Sequence, residues 1–152
     1  MASMWEGQVR ELYVSPDSGG PNASTEAVEA VAGQGLEGDR NLASDGARAG
    51  RAVTLIESEA VAAVEAESDL TLTAEETRRN IVTEGVPLNH LVDREFTVGE
   101  TVLRGVRLCE PCVSLEESTR PGVRMALLHR GGLRADIVEG GTIRVGDRIA
   151  PG

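Results

Sequence analysis

The sequence predicts a mostly β domain, a sandwich or a closed barrel, and three observations predict it. Seven or eight short apolar or alternating segments are separated by glycine turns. Only two or three short stretches carry a helical stripe, and the core palette is Val, Leu, Ile and Ala, because Trp5, Tyr13 and Phe96 are the chain's only aromatic residues. A parallel α/β sheet would need long helical patterns alternating with the strands. At 152 residues the chain is long enough for one core and short for two, so one domain over residues 1–152 is expected.

Each element has a local reason. Gln8 to Ser15 reads as a first strand, closed by the turn-rich segment Ser15 to Asn22, which its Pro, Asp and Gly content marks as exposed and mobile. Glu26 to Val31 fits strand and short helix almost equally, and Gly33 and Gly35 directly after it favour strand. Gly35 to Asn41 and the small polar residues up to Gly50 form a loop. Arg51 to Ile56 then reads as a buried strand. Ser58 is the expected N-cap of a helix from Glu59 to Glu67, striped by Ala60, Val61 and Val64. Thr73-Ala74-Glu75-Glu76 has capping-box spacing and predicts a short helix through Arg78 or Arg79. Asn80 to Glu84 is a strand, Gly85 to Leu88 a turn, and Glu95 to Val98 with Thr101 to Leu108 a hairpin about Gly99-Glu100. A helix is expected from near Pro121, with Val123, Ala126 and Leu127 on one face and Gly131 as its stop. Leu133, Ala135 and Ile137 alternate with Arg134 and Asp136. Gly140-Gly141 and Gly146-Asp147 then bracket Thr142 to Val145 in a last hairpin that closes the domain.

The net charge of −10 argues against nucleic acid and against a basic membrane surface as partners. No apolar run approaches the roughly eighteen residues of a spanning helix, and the N-terminus lacks a basic region followed by an apolar stretch, so the expected location is the cytoplasm. In that compartment a structural disulfide is disfavoured. All fifteen basic residues are Arg, a usage consistent with genomic or salt bias, yet each offers a planar fork for phosphate or carboxylate.

Three motifs carry chemistry. Cys109-Glu110-Pro111-Cys112 holds the only two cysteines, three apart, on one side of an expected turn. A zinc site would need two further soft ligands, and only His90 and His129 are available, outside any ligand spacing. A dithiol couple would need a helix directly after the motif, whereas the nearest expected helix lies about ten residues on. A single reactive thiolate, or two small buried hydrophobes, remain open. Arg78-Arg79-Asn80 could clamp a phosphate, with the Asn80 amide free for a heterocycle edge; equally, it could be a solvated pair balancing Glu75 and Glu76. Gly35-Leu36-Glu37-Gly38-Asp39 reads as a tight turn, without the glycine pattern of a dinucleotide site or the Lys of a phosphate loop.

Taken in order, Gly35-Leu36-Glu37-Gly38-Asp39-Arg40, Arg51 to Glu57, Arg78-Arg79-Asn80-Ile81-Val82, Leu88-x-x-Leu91, Val98-Gly99, Glu110-Pro111-Cys112, Gly131 to Ala135 and Gly141 to Asp147 resemble the MOSC domain, found at the C-terminus of molybdenum-cofactor sulfurases and as small stand-alone proteins. The resemblance spans roughly Val9 to Ile149. It implies a barrel of short antiparallel strands with two or three short helices, and a bound molybdenum cofactor (molybdopterin).

The resemblance also implies roles. Cys112 falls on the Pro-Cys position that carries the family's chemistry, as catalytic sulfur carrier or as thiolate ligand of molybdenum. Arg78 and Asn80, with Arg79 between them, fall on the cofactor-anchoring pattern, and Gly38, Asp39 and Arg134 join the cofactor-binding set by position in their motifs. Cys109 matches a cysteine of some members and is treated as supporting. The sequence carries no pyridoxal-phosphate desulfurase domain and no iron–sulfur cysteines. The implied function is therefore reduction of N-hydroxylated small molecules with a separate electron donor. The alternatives are a persulfide carrier supplied by a sulfur-donor protein, or a non-catalytic cofactor-binding module; a homodimer is compatible with any of them.

Overall fold

Inward-facing aliphatic residues at every second position force the strands to curl around one core. The computed structural model describes residues 4–17 and 20–152, so Ser18 and Gly19 of the loop after the first strand lie outside the described residues. The strands are β1 (Gly7–Val14), β2 (Ala23–Thr25), β3 (Ala27–Val31), β4 (Gly35–Leu36), β5 (Val53–Glu57), β6 (Ile81–Glu84), β7 (Glu95–Val98), β8 (Thr101–Leu108), β9 (Leu133–Glu139), β10 (Gly141–Arg144) and β11 (Arg148–Pro151). The helices are α1 (Ser58–Glu67), α2 (Val113–Ser118) and α3 (Val123–Ala126), and single 3-10 turns occupy Glu75–Thr77 and Leu88–His90.

Seven strands form a barrel in the order β11-β7-β8-β9-β5-β6-β1, closed by pairing of β1 with β11 at Gly7↔Ile149 and Gln8↔Arg148. β2 extends the edge of β1, and a separate sheet of order β10-β3-β4 contributes Val28, Ala30, Leu36 and Ile143 to the same core. Phe96, Leu103, Leu133 and Ile149 are fully buried at its centre.

All the strand pairings are antiparallel except β5 with β6, which run parallel in register Leu55↔Ile81 and Ile56↔Val82. The crossover between them carries α1 and the Glu75–Thr77 turn. This explains the consecutive apolar Leu55 and Ile56 in β5: Leu55 and Ile81 face the barrel core, while Ile56 and Val82 pack outward against Val61 and Val64 of α1, Leu115 of α2, Val123 of α3 and Leu127 just after it.

Several local expectations change. The helix expected through Arg78 or Arg79 stops at Thr77, although its capping box forms: the Thr73 N–H donates to Glu76 Oε1 (3.0 Å) and the Glu76 N–H to Thr73 Oγ1 (3.3 Å). Glu57, not Ser58, is the N-cap of α1, and Ser58 bonds Glu59 instead. Ser15 and Asn22, at the ends of the loop expected to be exposed, are buried and hydrogen-bonded to each other. The last hairpin is absent: β10 pairs with β3 through Gly141↔Ala30 and Ile143↔Val28, and β11 pairs with β7 and β1. Both choices bury Ile143 and Ile149, which a β10–β11 hairpin alone could not cover. Finally, α2 begins directly after Cys112, where a loop was expected.

Candidate functional site

Arg78 has a left-handed backbone, φ 63°, at the end of the Glu75–Thr77 turn. That reversal lets the consecutive residues Arg78, Arg79 and Asn80 line one cavity, where an ordinary strand would send neighbours to opposite faces. The cavity has a volume of about 440 Å³ and also meets Asp39, Cys109, Cys112 and Arg134.

Its floor is a chain of buried and half-buried hydrogen bonds. Asn80 Nδ2 donates to Asp39 Oδ1 (3.2 Å) and to the Tyr13 carbonyl (3.1 Å), while Asn80 Oδ1 accepts from the Thr54 N–H (3.0 Å) and hydroxyl (3.2 Å). Asp39 in turn accepts from the Ser15 N–H at 2.8 Å and the Asn41 N–H at 3.2 Å. The expectation that the Asn80 amide is free for a ligand therefore does not hold: both its donors and both its lone-pair positions are used within the protein. It ties β1, β5 and the Asp39 loop together and shapes the floor. Gly38 is exposed and lies outside the lining; its φ of +84° makes the turn that Asp39 N–H closes on the Leu36 carbonyl (3.2 Å), which aims Asp39 inward.

Arginine dominates the walls. Arg40, Arg51, Arg78, Arg79 and Arg134 line the cavity against one carboxylate, Asp39. Five of the other ten arginines form ion pairs, with Glu84, Asp93, Glu76, Glu67 and Glu6; among the described residues none of the cavity five does. Arg79 is buried, and its guanidinium donates only to the carbonyls of Gly131 (2.8 Å), Thr77 (3.0 Å) and Cys109 (2.9 Å). Burial pulls its pKa below the usual arginine range, with the Arg134 charge adding to that pull. Arg78 donates to the Gly20 carbonyl and keeps a buried Nη2 without a partner among the described residues; burial and then the charge of Arg40 pull its pKa down as well. A cluster of unneutralised cations around a concavity favours an anionic occupant.

The two thiols are free and unequal. Cys109 is buried at 2% exposure, with its N–H held by the Gly132 carbonyl at 2.7 Å, whereas Cys112 is exposed at the start of α2. The segment between them carries no assigned turn or bend, yet both thiols line the same cavity. The spacing objection to a dithiol couple falls, since α2 does follow Cys112; in the structure both thiols are free. Gly131 and Gly132 are required here. A Cβ on Gly131 would meet the Cys109 carbonyl at 2.5 Å, and one on Gly132 the Leu55 carbonyl at 2.0 Å.

The structure thus brings Cys112, Arg78, Arg79, Asn80, Asp39 and Arg134 to one cavity, and leaves Gly38 behind the wall. Sequence reasoning assigned no role to Arg40, Arg51 or Thr54, which also line it. Arg40 and Arg51 stood inside the motifs, and the signal available was an arginine next to each glycine-rich segment. Among the described residues, no three His, Cys, Asp or Glu side chains are placed together to hold a metal ion, and no helix is long and apolar enough to cross a membrane.

The closed β-barrel thus carries a thiol-bearing, arginine-walled cavity at its parallel β5–β6 step. The sequence matches the family model for the MOSC domain over residues 43–150, and the chain belongs to that family, one associated with molybdenum cofactor binding. No curated protein matches the sequence. Among solved structures, the YuaD protein from Bacillus subtilis is similar with a TM-score of 0.80 at 16% identity, covering 96% of this chain and 97% of that one. YiiM from Geobacillus stearothermophilus (TM-score 0.74, 15% identity, 96% and 75% covered) and YiiM from Escherichia coli (0.67, 15%, 99% and 70%) share the fold.

Proposed function

We propose that this chain binds the molybdenum cofactor in the arginine-walled cavity and reduces N-hydroxylated small molecules there, with Cys112 as the protein's ligand to the metal. One observation carries the reading: five arginines that form no ion pair among the described residues and one exposed thiol line the same cavity. The residues fit the group. The unpartnered Arg78 Nη2 and the neighbouring Arg40 suit a phosphate, and a soft thiolate suits molybdenum.

When bound, the cofactor supplies two-electron oxygen-atom-transfer chemistry, with electrons from a separate donor. The chain's own residues bind and orient. Arg40 and Arg78 hold the phosphate end, the Asp39–Asn80–Thr54 floor fixes the cavity shape, and Arg79 keeps a buried positive charge beside both cysteines. Cys112, exposed at the start of α2, would supply the sulfur ligand.

Its exposure also favours a second reading, a persulfide carrier that hands sulfur to a partner. The test is expression in hosts with and without molybdopterin synthesis, followed by assay of bound molybdenum and pterin, amidoxime reduction, and the intact mass of the protein. The expected outcome is metal and pterin in near-stoichiometric amounts from the first host, with Cys112→Ala losing metal and turnover. Full metal and activity in Cys112→Ala would refute the ligand role, and a one-sulfur mass increment on Cys112 without bound metal would select the carrier.

A further inference from the structure

The cavity arginines divide into two groups. Arg78 feels the charge of Arg40 and lies near Asp39, whereas Arg79 feels the charge of Arg134 and lies near Cys109 and Cys112, all of them lining the one cavity. The hydrogen-bonded row Asp39–Asn80–Thr54 lies between them, and Arg134 stands on β9 directly opposite Thr54 of β5. Crossing from Asn80, directly before β6, over Thr54 of β5 to Arg134 of β9 takes two strand spacings, on the order of 10 Å. One phosphate spans much less than that. The Arg79 side chain reaches toward the far side, where it bonds the Gly131 and Cys109 carbonyls.

In the second group Arg134 is the more exposed member. Arg134 is half-buried and makes no side-chain hydrogen bond or ion pair among the described residues, while Arg79 behind it spends three of its five N–H groups on carbonyls and has no carboxylate partner. A cation left unneutralised in this way in the same cavity as the exposed thiol selects for negative charge on whatever approaches it.

Building on the cofactor reading above, we propose that the cavity is a two-anion site: Arg40 and Arg78 take the cofactor's phosphate, and Arg134, backed by Arg79, takes a carboxylate or oxyanion of the substrate beside Cys112. The substrate class is therefore anionic N-hydroxylated molecules rather than the cationic N-hydroxylated bases.

The binding arm uses inorganic phosphate titrated calorimetrically into the full chain prepared from a host without molybdopterin. Two sites are expected. Arg78→Gln, or Arg40→Gln as a second variant, should remove one, and Arg134→Gln the other. A single site in the parent, or loss of both sites in each variant, means one merged site and overturns the proposal.

The activity arm compares 4-carboxybenzamidoxime, benzamidoxime and 4-(trimethylammonio)benzamidoxime on protein with its cofactor content measured. Loss of one charge-assisted hydrogen bond corresponds to about tenfold or more, so the carboxylate should lead the neutral compound in kcat/KM by that factor and the cation should trail both. Arg134→Gln should collapse the ratios towards one. Equal kcat/KM for the three compounds in the parent, or a carboxylate preference that survives Arg134→Gln, overturns the proposal. Loss of cofactor in Arg134→Gln, with no carboxylate preference in the parent, would assign that arginine to the cofactor and also overturn it. A loaded protein that reduces none of the three refutes the reductase reading instead, and the phosphate titration still decides the second site.

Discussion

Asn80 is the residue whose meaning changes most between sequence and structure. Beside two arginines in Arg78-Arg79-Asn80 it looks like a ligand group, yet its amide makes four hydrogen bonds inside the protein and is 5% exposed. Truncation would leave the Thr54 N–H and the Tyr13 carbonyl short of partners in a buried place. Asn80→Ala should therefore cost roughly 2–4 kcal/mol of stability, read as a lowered urea midpoint with unchanged slope, and the damaged floor should lower retention of the anionic ligand. A cofactor-contacting role alone would change retention without moving the midpoint. Arg79 shows the same inversion in milder form: it is the variable middle position of the motif, yet it is the arginine buried deepest. No pattern of residue types distinguishes these cases, because saturation of an amide is a property of partners up to 67 residues away.

At the scale of elements, short-range chemistry was legible and long-range pairing was not. The β7–β8 hairpin falls on Glu95–Val98 and Thr101–Leu108 as expected, because Gly99, with φ +56°, sets the turn locally. The six residues of α2 escaped notice because fewer than two turns cannot display a helical stripe. Helix α1 illustrates how an element is anchored by a titratable group. Its N-cap Glu57 sends Oε2 back to accept the Leu88 N–H at 3.2 Å, and burial pushes that carboxyl above the usual carboxylate range despite the opposing pull of this bond. A carboxyl whose folded-state pKa is raised weighs against the fold while ionised. The cost is absent below its unfolded value and complete once pH rises past its folded value. Glu57→Gln keeps the acceptor and removes the charge, so it should stabilise the protein near neutral pH by on the order of 0.5 kcal/mol after allowance for solvent screening, with the gain vanishing below about pH 4. Thermal unfolding of both proteins across that range checks the sign: a gain that persists in acid would exclude the charge as its cause.

At the scale of the whole molecule, a chain of net charge −10 gathers five arginines and one aspartate around a single cavity. Low-dielectric walls focus that local positive field, which gives an otherwise acidic protein a route to anionic ligands. The barrel that holds the walls apart is closed by the last strand, so its integrity depends on residues far from the site. Ile149 of β11 is fully buried and sits where β11 meets both β1 and β7. Ile149→Ala should cost about 2–5 kcal/mol in urea unfolding, a large share of a small domain's stability. A cost below about 1 kcal/mol would mean that closure contributes little.

The sequence by itself determined the mostly β class, the hairpin and capping box, the family resemblance, and which thiol and arginine motifs to inspect. These follow from residue types at short spacing, where propensity, periodicity and turn geometry act. Only the tertiary structure decided that Arg40 and Arg51 join the cavity, that Asn80 is spent on its floor, that Cys109 is buried while Cys112 is exposed, and that β10 leaves its neighbours for β3. Those outcomes depend on which apolar faces can be covered at once and on which polar groups the closed barrel leaves without partners, and both are settled by contacts between segments remote along the chain.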